Sequence, residues 1–310
     1  MVRLRWAGAL PLMSALVLGT AHPASSAEPR TKLVIAVQPT STPEKLADGA
    51  VELERYLEEA LGQDVEITFP TSYAGVVEAL RFGHADAAFM SAWPALLAQQ
   101  KAAAQVVLAE VREVIIDGQK AEQPYYYSYW VVPTASPYTD LGQLKGKKAA
   151  FSSPLSTSGY VAPLARLVEL GYVARPDSGP ADPKTYFSEA LMAGGYAQAY
   201  EALKSGQADV GLIAGDVPQT LYEEVLGHTR VIDKQGPIPS HAVVVAKELD
   251  ADRRERLVSA LEALGTPERR DLMRKFVSGI FVRFERRGAE HLEGLGAMLL
   301  TTGLEYQDKK

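Results

Sequence analysis

The stretch Ser153-Pro154-Leu155-Ser156-Thr157-Ser158-Gly159 is the part of this sequence best suited to hold a ligand. It follows a strand-like segment, residues 148–151, and opens a helical pattern. The first N–H groups of a helix have no partner within it, and the helix dipole places partial positive charge there. Ser156, Thr157 and Ser158 add three hydroxyl donors, which suit the several oxygens of a tetrahedral anion without any Lys or Arg. Hydroxyl residues at a helix start also act as ordinary caps, and that reading accounts for them as well.

A second helix start of the same kind is Thr71-Ser72-Tyr73, after a strand-like segment at 65–69. Aromatic residues form the other cluster. Tyr125, Tyr126, Tyr127, Tyr129 and Trp130 crowd one short strand, and Trp93 and Tyr196 lie near other strand ends. Tyrosine brings a hydroxyl donor on a rigid ring and can wall a cleft. Alternation along a strand sets Tyr125, Tyr127 and Tyr129 on one face and Tyr126 and Ser128 on the other. It does not say which face meets a ligand. His241, after Ile238-Pro239-Ser240, is a further cleft-lining candidate, with a structural histidine as the plainer alternative.

Catalytic signatures are missing. There is no Gly-x-Ser-x-Gly elbow, phosphate loop, His-Glu-x-x-His or glycine-rich dinucleotide turn. The histidines beyond residue 27 (His84, His228, His241 and His291) have no metal-ligand spacing, and cysteine is absent. A binding protein without metal, cofactor or chemistry of its own is therefore expected. The formal net charge is −6, which argues against a nucleic-acid partner. Any anion must be held by local dipoles and hydroxyls against an unfavourable overall field.

These groups need elements to position them, and a repeat shows how those are arranged. Glu78-Ala79-Leu80-Arg81-Phe82-Gly83-His84-Ala85-Asp86-Ala87-Ala88 returns as Glu201-Ala202-Leu203-Lys204-Ser205-Gly206-Gln207-Ala208-Asp209-Val210-Gly211. Each copy reads as a helix end, a glycine cap and a buried strand, the second half of a β-α-β crossover. Two copies far apart predict two similar parallel sheets, hence two α/β lobes with a ligand between them. The connection at Pro133–Pro137 and the break at Gly236-Pro237-Ile238-Pro239 mark the crossings. The lobes are expected at 28–132 plus 238–310, and at 133–237. Residues 1–27 read as an export signal: Arg3 and Arg5, an apolar run too short to span a bilayer, then small residues ending at Ala27. Its removal would take the charge by two, from −6 to −8.

The residues resemble the PhnD-like phosphonate-binding proteins of ABC importers, a family that includes phosphite and phosphate binders. The resemblance rests on Ser72-Tyr73-Ala74-Gly75-Val76 with Arg81-Phe82 and Asp86, on Asp140-Leu141 with Leu144-Lys145-Gly146-Lys147, and above all on Ser156-Thr157-Ser158-Gly159-Tyr160 with Pro163. Gln207–Gly211 and Pro237-Ile238-Pro239 complete the order. It implies the type II periplasmic-binding fold, two α/β lobes joined by a two-strand hinge. It further implies a periplasmic monomer that holds a small anionic ligand and docks on a membrane permease, or, with the same site, signals to a sensor kinase. By position the anion contacts fall on Ser156, Thr157 and Ser158, with binding tyrosines at Tyr73 and Tyr126. The sequence departs from the family's pattern where an acidic pair partner is often found. Tyr196-Ala197 stands in one place, and Ala214-Gly215 precedes Asp216 in the other. A ligand ammonium would then be poorly compensated, so an oxyanion lacking an amine is expected.

Overall fold

The computed structural model describes residues 32–38, 43–175, 177–276 and 278–305. The export signal expected at 1–27 lies outside them. The first block alternates β1 (Lys32–Val37), α1 (Pro43–Leu61), β2 (Asp64–Thr68), α2 (Tyr73–Arg81), β3 (Ala87–Met90) and α3 (Ala92–Ala102). β1 is apolar almost throughout because it is flanked on both sides, pairing in parallel with β2 and β3. The long β4 (Gln105–Ile116) then turns into β5 (Gln119–Gln123). β6 (Tyr125–Pro133), β7 (Lys148–Phe151), α4 (Ala162–Glu169), β8 (Glu189–Met192), α5 (Tyr196–Lys204), β9 (Gly211–Ala214), α6 (Gln219–His228) and β10 (Thr229–Pro239) follow. The chain continues with β11 (Ala242–Val245), α7 (Ala251–Glu262), α8 (Arg270–Phe276), β12 (Phe281–Arg286) and α9 (Glu293–Thr302).

One sheet runs β12-β4-β11-β3-β1-β2, with β5 on β4; a second runs β10-β6-β9, and β7 pairs with β8. Apolar clusters cover both faces of the first sheet, and two more pack around the second. The repeat has a physical basis in both copies. Gly83 and Gly206 take the left-handed backbone (φ 68° and 75°) that ends α2 and α5. Asp86 and Asp209 then accept from the backbone N–H of Val34 and Lys148, each at 2.8 Å, tying the incoming strand to its neighbour.

Three expectations are corrected. The sheets are not simply parallel: β3–β11, β4–β11, β4–β12 and all pairs of the second sheet are antiparallel. The chain does not change sheets at Pro133–Pro137, since β6 pairs with β9 and β10. It crosses at Pro124 and returns at Ser240, and the Ser240 N–H donates to Pro124 O at 3.0 Å. Finally, α9, assigned by sequence to the first block, packs against α4 and β10. Its Met298, and Leu304 just beyond it, have apolar partners on both sides of the crossing.

Candidate functional site

The hydroxyl stretch joins the end of β7 to α4 through a wide π-type turn, Thr157–Val161. Ser156 caps it, its Oγ accepting from the Gly159 N–H at 2.9 Å, and the Val161 N–H donates to Ser156 O. Gly159 is needed for packing: a Cβ there would lie 1.7 Å from Ser152 Oγ and 2.9 Å from Ser156 Oγ. π-type turns recur at functional sites because they re-aim backbone groups.

This turn forms one wall of a cavity of about 390 Å3. Ser156, Thr157, Ser158 and Tyr196 line it from the second block, with Tyr126 and Asp216 from the ends of β6 and β9. Tyr73, at the start of α2, and His241, just before β11, face it from the first block. Eight of the nine residues singled out by sequence thus meet in one place. Trp93 does not line this cavity. It is buried on α3 and forms a small apolar notch with Tyr73, Pro94, Leu97 and Leu155.

Two phenols converge on one serine. Tyr126 and Tyr196 donate to Ser158 Oγ at 3.1 and 2.7 Å. With its lone pairs engaged, Ser158 has its own proton left to donate, and the two incoming bonds polarise it further. Burial, and after it the Asp216 charge, pushes both tyrosines well above their ordinary range, so they stay neutral donors.

A buried charged group backs Asp216. Buried Arg112 on β4 donates through Nε to Glu110 at 2.8 Å and through Nη1 to Asp216 at 3.2 Å. Burial raises the Asp216 carboxyl while Arg112 opposes that shift. Burial, followed by the Arg112 charge, holds His241 well below the ordinary imidazole range, so it is neutral near pH 7. Gly215 explains why the acid falls one residue late: a Cβ there would meet the Ile115 carbonyl oxygen at 2.2 Å.

Sequence reasoning missed Gln38, Ser91, Ser152, Glu110 and Arg112. Gln38 accepts from Ser91 N and Oγ at 2.8 and 2.9 Å, and both residues line the cavity. The buried Ser152 Oγ has no partner among the described residues. Glu110 and Arg112 left a readable signal: opposite charges two apart, hence on one face of a strand that is mostly apolar. No cluster of metal-ligating side chains occurs among the described residues.

A cavity walled by elements of two sheets, with hydroxyl donors on one side, is the candidate site for a small ligand. The chain belongs to the ABC transporter, phosphonate, periplasmic substrate-binding protein family, whose model matches residues 35–289. It is 29% identical over 209 residues to the phosphate-import protein PhnD of Mycolicibacterium smegmatis, covering 66% of this chain and 62% of that one. It is 26% identical over 261 residues to the phosphonates-binding periplasmic protein of Escherichia coli, covering 82% and 72%. In structure it is similar to a binding protein component of an ABC phosphonate transporter from Pseudomonas aeruginosa. That likeness has a TM-score of 0.66 at 19% identity and covers 88% and 87% of the two chains. The fold is that of the type II periplasmic binding proteins.

Proposed function

We propose that this chain is the exported capture subunit of an ABC importer, and that its ligand is a phosphorus oxyanion without an amine: phosphate, phosphite or a simple alkylphosphonate. The observation that carries this reading is the convergence of Tyr126 and Tyr196 on Ser158, within a helix-start cradle shared with Ser156 and Thr157. Tyr73 and His241 complete the anion's surroundings from the other lobe. The lobes are 32–123 with 241–292, and 125–239 with α9, hinged at Pro124 and Ser240. The ligand is captured and released unchanged, and the closed monomer docks on a membrane permease.

Asp216 refines the ligand class. A carboxylate and an oxyanion share one cavity comfortably only with a proton between them, because two like charges at close range cannot both stay ionised. A ligand carrying P–OH supplies that proton, whereas sulfate has none near neutral pH. Asp216 is already paired with Arg112, so a ligand ammonium would have to compete with a guanidinium for it.

The test is thermal unfolding of residues 28–310 with phosphate, phosphite, methylphosphonate, 2-aminoethylphosphonate and sulfate. Ligand at about a thousand times its Kd adds roughly 4 kcal/mol. A shift with one phosphorus oxyanion that disappears in Ser156→Ala/Thr157→Ala is expected. No shift with any anion would overturn the reading, and stronger binding of 2-aminoethylphosphonate than of methylphosphonate would overturn the amine-free ligand.

A further inference from the structure

Leu155 sits inside the hydroxyl stretch, between Ser153 and Ser156, and the residue is 40% exposed. A leucine is an odd choice for the rim of an anion site. Its surroundings account for it. Leu155 completes the small apolar notch whose other walls are Tyr73 on α2 and Trp93, Pro94 and Leu97 on α3. Those four residues belong to the first sheet's helices, whereas Leu155 projects from the end of β7 in the second block. The space left between Leu155 and the other four walls admits about 10 Å3, about one water's worth, so the leucine lies close to them. Leu155 and Tyr73 also line the anion cavity itself.

We propose that Leu155 is a closure latch: an apolar knob on the anion-binding loop that seats in a socket of the opposite lobe, so that the loop holding the anion also fastens the lobes. The latch acts through the closed population and not through the ligand. Apparent affinity equals intrinsic affinity reduced by the fraction of closed molecules, so weakening the latch costs every ligand the same factor. Burying apolar surface is non-directional, so volume matters more than shape. Met at this position should serve and Ser should not. In its ligand arm the inference rests on the oxyanion-capture reading.

The experiment compares wild type, Leu155→Ser, Leu155→Met, Leu97→Ala and the double variant Leu155→Ser/Leu97→Ala; Leu97→Ala alters the socket from the other lobe. Calorimetry with inorganic phosphate and with methylphosphonate gives Kd, stopped-flow gives the dissociation rate, and X-ray scattering gives the radius of gyration. Leu155→Ser should weaken both probes by the same factor, about tenfold, through faster dissociation. Leu155→Met should stay within about twofold, as volume-conserving swaps do. Leu97→Ala should add little to Leu155→Ser, because both break one contact. Without ligand, the unfolding midpoint should stay in place in the two Leu155 variants and fall in Leu97→Ala, which truncates a buried core side chain. A loss that differs between the two probes would mean that Leu155 touches the ligand, and no loss would mean that the contact carries nothing; either overturns the latch. If wild type binds neither probe, the oxyanion reading fails while the latch stays testable by scattering without ligand. Leu155→Ser must then be more expanded than wild type, and equal radii overturn it.

Discussion

Asp216 stands between two demands, the Arg112 guanidinium on one side and the anion cavity on the other. If its carboxylate selects for a ligand proton, Asp216→Asn should narrow the preference for phosphate or phosphite over sulfate. Competition calorimetry at pH 7 checks this, and an unchanged preference would remove Asp216 from ligand selection. His241 carries a different prediction. Burial and Arg112 hold it neutral in the fold, so the unfolded chain binds the extra proton. The stability it contributes is present above its ordinary value of 6.5 and lost as pH falls through that value. His291, lowered chiefly by burial near the hinge, acts in the same direction. Asp216, raised by burial, acts in the opposite direction at lower pH. Denaturant unfolding from pH 7.5 to 5.5 should show falling stability, at most about 1.4 kcal/mol per pH unit for each histidine. His241→Gln should flatten the curve.

At the scale of elements, the cradle is a strand, a tight loop and a widened helical turn held by local contacts. Gly159 lets the turn close over Ser152 and Ser156. In Gly159→Ala the new methyl collides with both hydroxyls, so the turn must shift and misplace Ser156–Ser158. We expect about 1–3 kcal/mol of destabilisation, together with loss of the anion-induced thermal shift. A variant that keeps the full ligand response would show that the turn geometry is not what binds. The repeat carries its own prediction. Asp86→Ala leaves the part-buried Val34 N–H without this acceptor, at a cost of about 1–3 kcal/mol, whereas the exposed Lys148 N–H freed by Asp209→Ala can turn to water and should cost less, about 0.5–1.5 kcal/mol. Neither touches the cavity, so chemical unfolding should shift while ligand affinity holds.

For the whole molecule, hinge closure predicts that saturating ligand lowers the radius of gyration in X-ray scattering. An unchanged radius would assign capture to a site that is already closed. α9 complicates the hinge, since it makes a third link between the lobes: its Thr302 carbonyl accepts from the Ala181 N–H at 2.8 Å. Elements whose signals are local were legible in the sequence. Glycine caps, each with an Asp three residues on, set the repeat. Hydroxyls before a helical pattern marked Ser156–Ser158, because capping and alternation act over a few residues. What the sequence could not show is long-range pairing. Whether β6 lies with β4 or with β9 depends on partners some eighty residues away, which is why the crossing moved from Pro133 to Pro124. The same holds for α9, whose apolar face suits either block. Tertiary structure alone decided that Tyr126, and not its neighbours, meets Ser158, that Trp93 walls the adjoining notch, and that Glu110 and Arg112 lie under Asp216. Each of these is a meeting of side chains from distant strands, settled by packing and charge compensation once the sheets have formed.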